Sequence, residues 1–312
     1  MLFSRTTTEL IAIYDKMQEA GVRLASAGEF ADDACAIADC IAIGDRLTFL
    51  GSKSKLVEFR PGELTVLAGA SGHGKSALMG QIALDLIKQD RKVCILSLEM
   101  PPGRTLWRMS RIEYGRRVCG WFDQYKDHAA ELAERFCRSI DDKVVLLNKV
   151  GSADPKEVFG AMVKAHEIGC EHIIIDNLMR VCPEYGDRAN ELQKEFVQNL
   201  IALTKQFDFH TWLVHHVRKG SNETDEINKY SIRGAAAITD NADNVILLQR
   251  NISKEKKMAD ADDTARKLID HDEADSVFIV DKQRNGEWQG TVSLWYDKDR
   301  MNFWPTSDRS GK

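Results

Sequence analysis

The sequence predicts an α/β fold: a mostly parallel sheet with helices on both faces and an antiparallel C-terminal edge. Three observations predict it. From about residue 56, short apolar runs alternate with amphipathic segments, the pattern of a sheet covered on both sides. A glycine-rich octapeptide, GASGHGKS, joins the first apolar run to the first amphipathic one. Towards the C-terminus, short strand-like runs succeed one another with little helix between them.

The elements can be taken in chain order. ELTVLAG reads as a buried strand from its continuous apolar run, and KSALMGQIALDLIKQ has the apolar spacing of a helix. KVCILSLE is the second strand, and a helix opens at PPGRTLWRMSR. KVVLL is the third strand. Asp154 and Pro155 then cap and start the helix PKEVFGAMVKAHEIG, because proline is tolerated at a first helical position. EHIIIDN is the fourth strand, ANELQKEFVQNLIALTKQF the next helix and HTWLVHH the next strand. DNVILLQ, SVFIVDK, GTVSLWYD and MNFW complete the sheet as its antiparallel edge. The charge-dense stretch 253–276 is expected to be a solvated excursion. Residues 1–55 differ in character: Leu10, Ile11, Ile13, Tyr14 and Met17 recur at helical spacing up to Gly21, and FADDACAIADCIAIG is Ala-rich. They are read as a helical arm or linker, with 56–312 as the functional domain.

Composition narrows the possibilities. A chain of 312 residues holds one large α/β domain with a small appendage. The formal net charge of −5 argues against a surface that coats nucleic acid, though it allows a local basic site. The seven cysteines, at 35, 40, 94, 119, 137, 170 and 182, form no CxxC pair and no zinc spacing. They read as reduced thiols. The N-terminus lacks a signal-peptide apolar core and no run has the length of a membrane span. A soluble, cytoplasmic protein that makes no use of a membrane is expected.

The octapeptide fits GxxxxGK[ST] between a strand and a helix, the context that gives this motif meaning. Glycines let backbone amides approach phosphate oxygens with no side chain in the way. The predicted nucleotide-binding set is Gly69, Ala70, Ser71, Gly72, His73, Gly74, Lys75, Ser76 and Ala77. Lys75 is expected to reach the terminal phosphates of a nucleoside triphosphate, and the Ser76 hydroxyl to bind magnesium. Asp176 ends the strand HIIID, where its carboxylate can hold the same ion; the plainer alternative is a turn cap. Glu99 ends the neighbouring strand, where a carboxylate can deprotonate an attacking water. His215 and His216 end a third strand. No cysteine or carboxylate lies at ligand spacing to make them a zinc site. His216 is placed near the γ-phosphate and His215 in the packing.

The series GELTVLAGASGHGKSALMGQIALDL, SLEMP, IIIDNL, HHVRK, SIRGAAAITDNADNVILLQR and KQRNG, in that order, resembles the motif series of the DnaB-type replicative helicases. These are ring-forming, RecA-like motors; the likeness extends to Twinkle and to the helicase half of phage primase-helicases. It covers about residues 56–304. The resemblance implies a RecA-like P-loop core, ATP or another nucleoside triphosphate as substrate with Mg2+, and unwinding of forked duplex by movement on single-stranded DNA. It implies a homo-oligomeric ring, six-membered in this family's manner, with a separate primase and polymerase as partners. By resemblance Glu99 is the catalytic base, His216 the γ-phosphate sensor, Arg284 an arginine finger acting on a neighbouring subunit and Lys282 its helper. Arg250 and Tyr296 match positions that sandwich the base. Arg218, Lys219, Arg233, Gly234 and Ala236 match positions that grip single-stranded DNA, and a first DNA loop maps to 180–190. Two departures stand out: Ala235 and Ala236 replace a usual Ser-Gly pair, and the excursion at 253–276 is long.

A second reading keeps the same phosphate loop in a RecA- or RadA-like recombinase filament, with ATP as a binding switch. A third is a signalling ATPase of the same fold without DNA. SLEMP, RGAAAI and KQRNG favour the helicase.

Overall fold

The computed structural model describes residue 26 and residues 44–182, 188–217, 228–232 and 237–309. The chain divides into a short unit, Met1–Ile43, and a large one, Gly44–Lys312, which holds every element named below.

Among the described residues, nine strands form one sheet in the order β3-β2-β4-β5-β1-β6-β7-β8-β9. β1 is Leu64–Gly69, β2 Val93–Ser97, β3 Val144–Leu146, β4 His172–Asp176, β5 His210–His216 and β6 Asn244–Arg250. These six run parallel. β7 (Ser276–Gln283), β8 (Gly290–Asp297) and β9 (Asn302–Trp304) continue the sheet antiparallel. The alternation in the sequence therefore translates into the expected topology with one correction: β6, expected from DNVILLQ as part of the antiparallel edge, runs parallel to β1, and the antiparallel edge begins at β7.

Parallel strands need helical crossovers, and the chain supplies them. α1 is Lys75–Lys88, α2 Pro102–Tyr114, α3 Ala129–Ser139, α4 Pro155–Glu167, α5 Ala189–Phe207 and the short α6 Ala237–Asn241. Along β1 the side chains alternate between two cores. Leu67 packs with Leu78, Ile82 and Ile246 on one face, while Leu64, Val66 and Ala68 pack with Phe196, Val197 and Leu213 on the other. β7 instead alternates fully and partly buried residues for most of its length, as an edge covered on one side does. The start of α4 matches the sequence closely. The Asp154 side chain accepts from Lys156 N at 2.8 Å, and Glu157 Oε2 accepts from Asp154 N at 2.8 Å, a reciprocal cap.

Three further features depart from expectation. The segment 44–55, grouped with the arm from sequence, is part of the large unit: Asp45 bridges Phe59, and Leu47 and Leu50 enter the core. α3 is an addition to the expected elements, an amphipathic helix that buries Ala129 and Phe136. The stretch 253–276 is not a loose excursion. It folds into α7 (Ile252–Asp260) and α8 (Asp263–Asp272), with Lys254 fully buried. Lys254 is the one buried residue of these two helices, so the stretch is solvated as expected, and its helical order is what a count of charges does not reveal. No helix among the described residues is long and apolar enough to cross a membrane.

Candidate active site

The carboxyl ends of β1, β2, β4 and β5 lie side by side, and the turns leaving them build the site. β1 ends at Gly69 and α1 starts at Lys75. A Cβ on Gly69 would sit 2.5 Å from the Leu248 carbonyl oxygen of β6. Glycine is needed there by the neighbouring strand as well as by any ligand. Gly74 has φ 92°, a left-handed conformation that other residues adopt at a cost.

Lys75 is buried and folds over its own loop. Its Nζ donates to the carbonyls of Gly69 (2.8 Å) and Ala70 (2.9 Å) and lies 3.2 Å from His216 Nδ1. Burial holds its ammonium down to about 8, against the pull of Asp176 and Glu99. Ser76 Oγ donates to Asp176 Oδ2 at 3.0 Å. Asp176 is buried at the end of β4, and burial raises its carboxyl to about 6.

The residue after it is one that sequence reasoning misses. Asn177, 1% exposed, directs its Nδ2 to Glu99 Oε1 at 2.7 Å and to His216 Nε2 at 3.1 Å. Its Oδ1 accepts from Met179 N. One amide thus joins the strand ends that carry Glu99 and His216. Burial and the nearby Lys75 lower the His216 imidazole to about 4, so it is neutral at neutral pH. A neutral imidazole has one acceptor nitrogen. His216 can therefore accept from Lys75 or from Asn177, not from both. Arg180 approaches from the next turn, its Nε 3.9 Å from Glu99 Oε1. His215 is buried, as its assignment to packing requires.

A cavity of about 760 Å³ runs from Gly72, His73 and Gly74 to Arg250, Tyr296 and Phe303. Arg250 N donates to His73 Nδ1 at 3.3 Å, and the Tyr296 ring lies 5.0 Å from that of Phe303. The expected loop residues and the expected base-sandwiching pair thus share one space.

Lys282 and Arg284 are not part of it. In the pairing of β6 with β7, Gln283 faces Asn244 at the start of β6, and Asn244 is level with Thr65 near the start of β1. Both basic residues therefore lie at the sheet edge opposite the phosphate loop. Arg284 Nη1 is 3.1 Å from Asp243 Oδ1, and Lys282 Nζ donates to the carbonyls of Thr239 and Asp240. Arg218, Lys219, Arg233, Gly234 and Ala236 lie outside the described residues, as does 183–187 of the first loop. Beside them, Val217 bridges Ile232, and Tyr230 is exposed.

A strand, a glycine loop and a helix, with lysine, serine and a facing aspartate at the carboxyl edge of a mostly parallel sheet, define a RecA-like P-loop nucleoside triphosphatase. The chain belongs to the DnaB-like helicases: the family model for the DnaB-like helicase C terminal domain matches residues 52–304. Enzymes of this family are replicative helicases that hydrolyse nucleoside triphosphates, and the chain carries their catalytic domain. Its fold is similar to a solved ATPase domain, with a TM-score of 0.74 at 14% identity, over 89% of this chain and 99% of that one. It is also similar to a DnaB-like replicative helicase solved in a study of its interactions with primase. There the TM-score is 0.66 at 16% identity, over 79% of this chain and 59% of that one.

Proposed function

We propose that this domain is the motor of a six-membered ring that moves on single-stranded DNA and unwinds forked duplex, driven by ATP or another nucleoside triphosphate. One observation carries the reading. The phosphate loop, Asp176, Glu99 and His216 converge at one edge of the sheet, while Lys282 and Arg284 sit at the other. A finger so placed can serve only a neighbour's nucleotide, and a closed ring supplies each site with one.

Within the chain, Lys75 leaves its loop carbonyls to meet the terminal phosphates. Glu99, held by Asn177, takes the proton of the attacking water. His216 exchanges its Lys75 contact for the γ-phosphate and so reports its presence. Ser76 Oγ and Asp176 Oδ2 are hard oxygen donors 3.0 Å apart, which fit Mg2+. The bound ion would neutralise charge on the phosphates. Arg250 and Tyr296 hold the base. Arg284 of a neighbour stabilises the transferring phosphoryl group with Lys282 as helper. Arg218, Lys219, Arg233, Gly234 and Ala236 track the DNA backbone, with cations for phosphates and small residues for close approach. A primase and a polymerase are the expected partners.

The test is strand release from a forked duplex with one labelled strand, assayed with each nucleotide. Release that needs a hydrolysable nucleotide is expected. Hydrolysis stimulated by DNA with no release from any fork would contradict the helicase reading. Open filaments instead of closed rings in electron micrographs would favour the recombinase.

A further inference from the structure

The α7–α8 hairpin has no part in the reaction described so far, yet it walls the cavity that runs from the phosphate loop. Glu255 lines that cavity beside Arg250, and Lys254, adjacent in sequence, bonds Asp270 and Asp275, which line it too.

Glu255 binds Arg250. Arg250 Nε donates to Glu255 Oε1, and Nη2 donates to Oε2 at 2.8 Å. This edge-on pairing uses the rim of the guanidinium plane and leaves its faces for stacking. Lys254 acts through Asp270 and Asp275, which line the same cavity. Its fully buried ammonium lies 2.7 Å from Asp275 Oδ1 and 2.9 Å from Asp270 Oδ1. Asp275 Oδ2 accepts from the backbone N of Tyr296 at 2.7 Å. Arg309 closes the network, with Nη2 on Asp270 Oδ1 at 2.9 Å and Nε on the Tyr296 carbonyl at 3.2 Å. Tyr296 is therefore held at both its backbone N–H and its carbonyl.

We propose that the hairpin is part of the nucleotide site and a positioning device for the base. Glu255 fixes one jaw, Arg250, and the Lys254–Asp275–Arg309 network fixes the other, Tyr296. The inference rests on the proposed nucleotide site. An exposed pair such as Glu255–Arg250 adds at most about 1 kcal/mol to folding. Its consequence lies in orientation, and Glu255 can be changed without unfolding the domain.

The experiment compares ATP with inorganic tripolyphosphate, which shares the phosphate contacts and lacks the base. Each competes with a fluorescent ATP analogue in the presence of Mg2+, on wild type, Glu255→Gln and Glu255→Ala, with melting temperatures measured alongside. ATP affinity is expected to fall about five- to ten-fold in Glu255→Ala, the scale of one lost stacking partner. It should fall less in Glu255→Gln, which keeps an acceptor for Arg250. Tripolyphosphate affinity should not change. Unchanged ATP affinity in Glu255→Ala, or an equal loss for both ligands, overturns the hairpin's role. A wild type that binds ATP no better than tripolyphosphate overturns the base site itself. A wild type that binds neither overturns the nucleotide reading on which both depend.

Discussion

Lys75 carries a charge in a place that disfavours it. Burial brings its ammonium from 10.5 down to about 8, so the charged lysine costs the folded state at neutral pH. Unfolded chains bind more protons than folded ones between those two values, and this group's contribution to stability rises with pH across that window. Lys75→Ala should therefore abolish hydrolysis without lowering the melting temperature near neutral pH. Melted without nucleotide, wild type should gain stability over the variant between pH 8 and 10.5; parallel curves would contradict the burial argument. Glu99 offers a cleaner separation of binding from chemistry. Its Oε1 accepts from Asn177, and glutamine can keep an acceptor there while losing the base. Glu99→Gln should bind nucleotide as tightly as wild type, with turnover lower by about 10²–10⁴-fold. Turnover close to wild type would remove Glu99 from the reaction.

β1 and β6 meet at Gly69, where the structure leaves no room for a side chain. The Cβ of Gly69→Ala would fall 2.5 Å from the Leu248 carbonyl oxygen, a backbone atom that cannot step aside alone. The substitution should destabilise the domain by about 1–3 kcal/mol, the usual range for overpacking. Denaturant unfolding measures it, and an unchanged midpoint would mean that the strands separate freely. Elements of this kind are legible in the sequence, because a buried parallel strand leaves a continuous apolar run and a phosphate loop leaves fixed spacing. Asp176, Glu99 and His216 are legible for the same reason: each ends such a run. Asn177 is not, since its part depends on two strand ends that only the sheet brings together. Glu255 and Lys254 are hidden more deeply. A run of charges predicts solvent, and only the fold reveals that Lys254 has Asp270 and Asp275 as partners. α3 is legible in principle, since Ala129, Leu132, Ala133, Phe136 and Cys137 recur at helical spacing among charges.

The two edges of the sheet would set the behaviour of the proposed ring. With Arg284 at the edge away from the phosphate loop, the proposed ring completes each active site with a residue from the next subunit. Arg284→Ala should bind nucleotide almost normally, because the loop, Ser76 and Asp176 lie in one chain, while turnover falls by about a thousand-fold. Loss of its pairing with buried Asp243 should lower the melting temperature somewhat, so assembly must be confirmed by size. The decisive measurement is a mixture. Lys75→Ala subunits cannot hydrolyse but keep a finger, and Arg284→Ala subunits keep a phosphate loop but lack one. In co-assembled rings some interfaces pair an intact loop with an intact finger, and hydrolysis should recover in part above that of either variant alone. If proven co-assemblies hydrolyse no faster than the two variants assayed apart, Arg284 does not act across the interface and the ring mechanism is wrong.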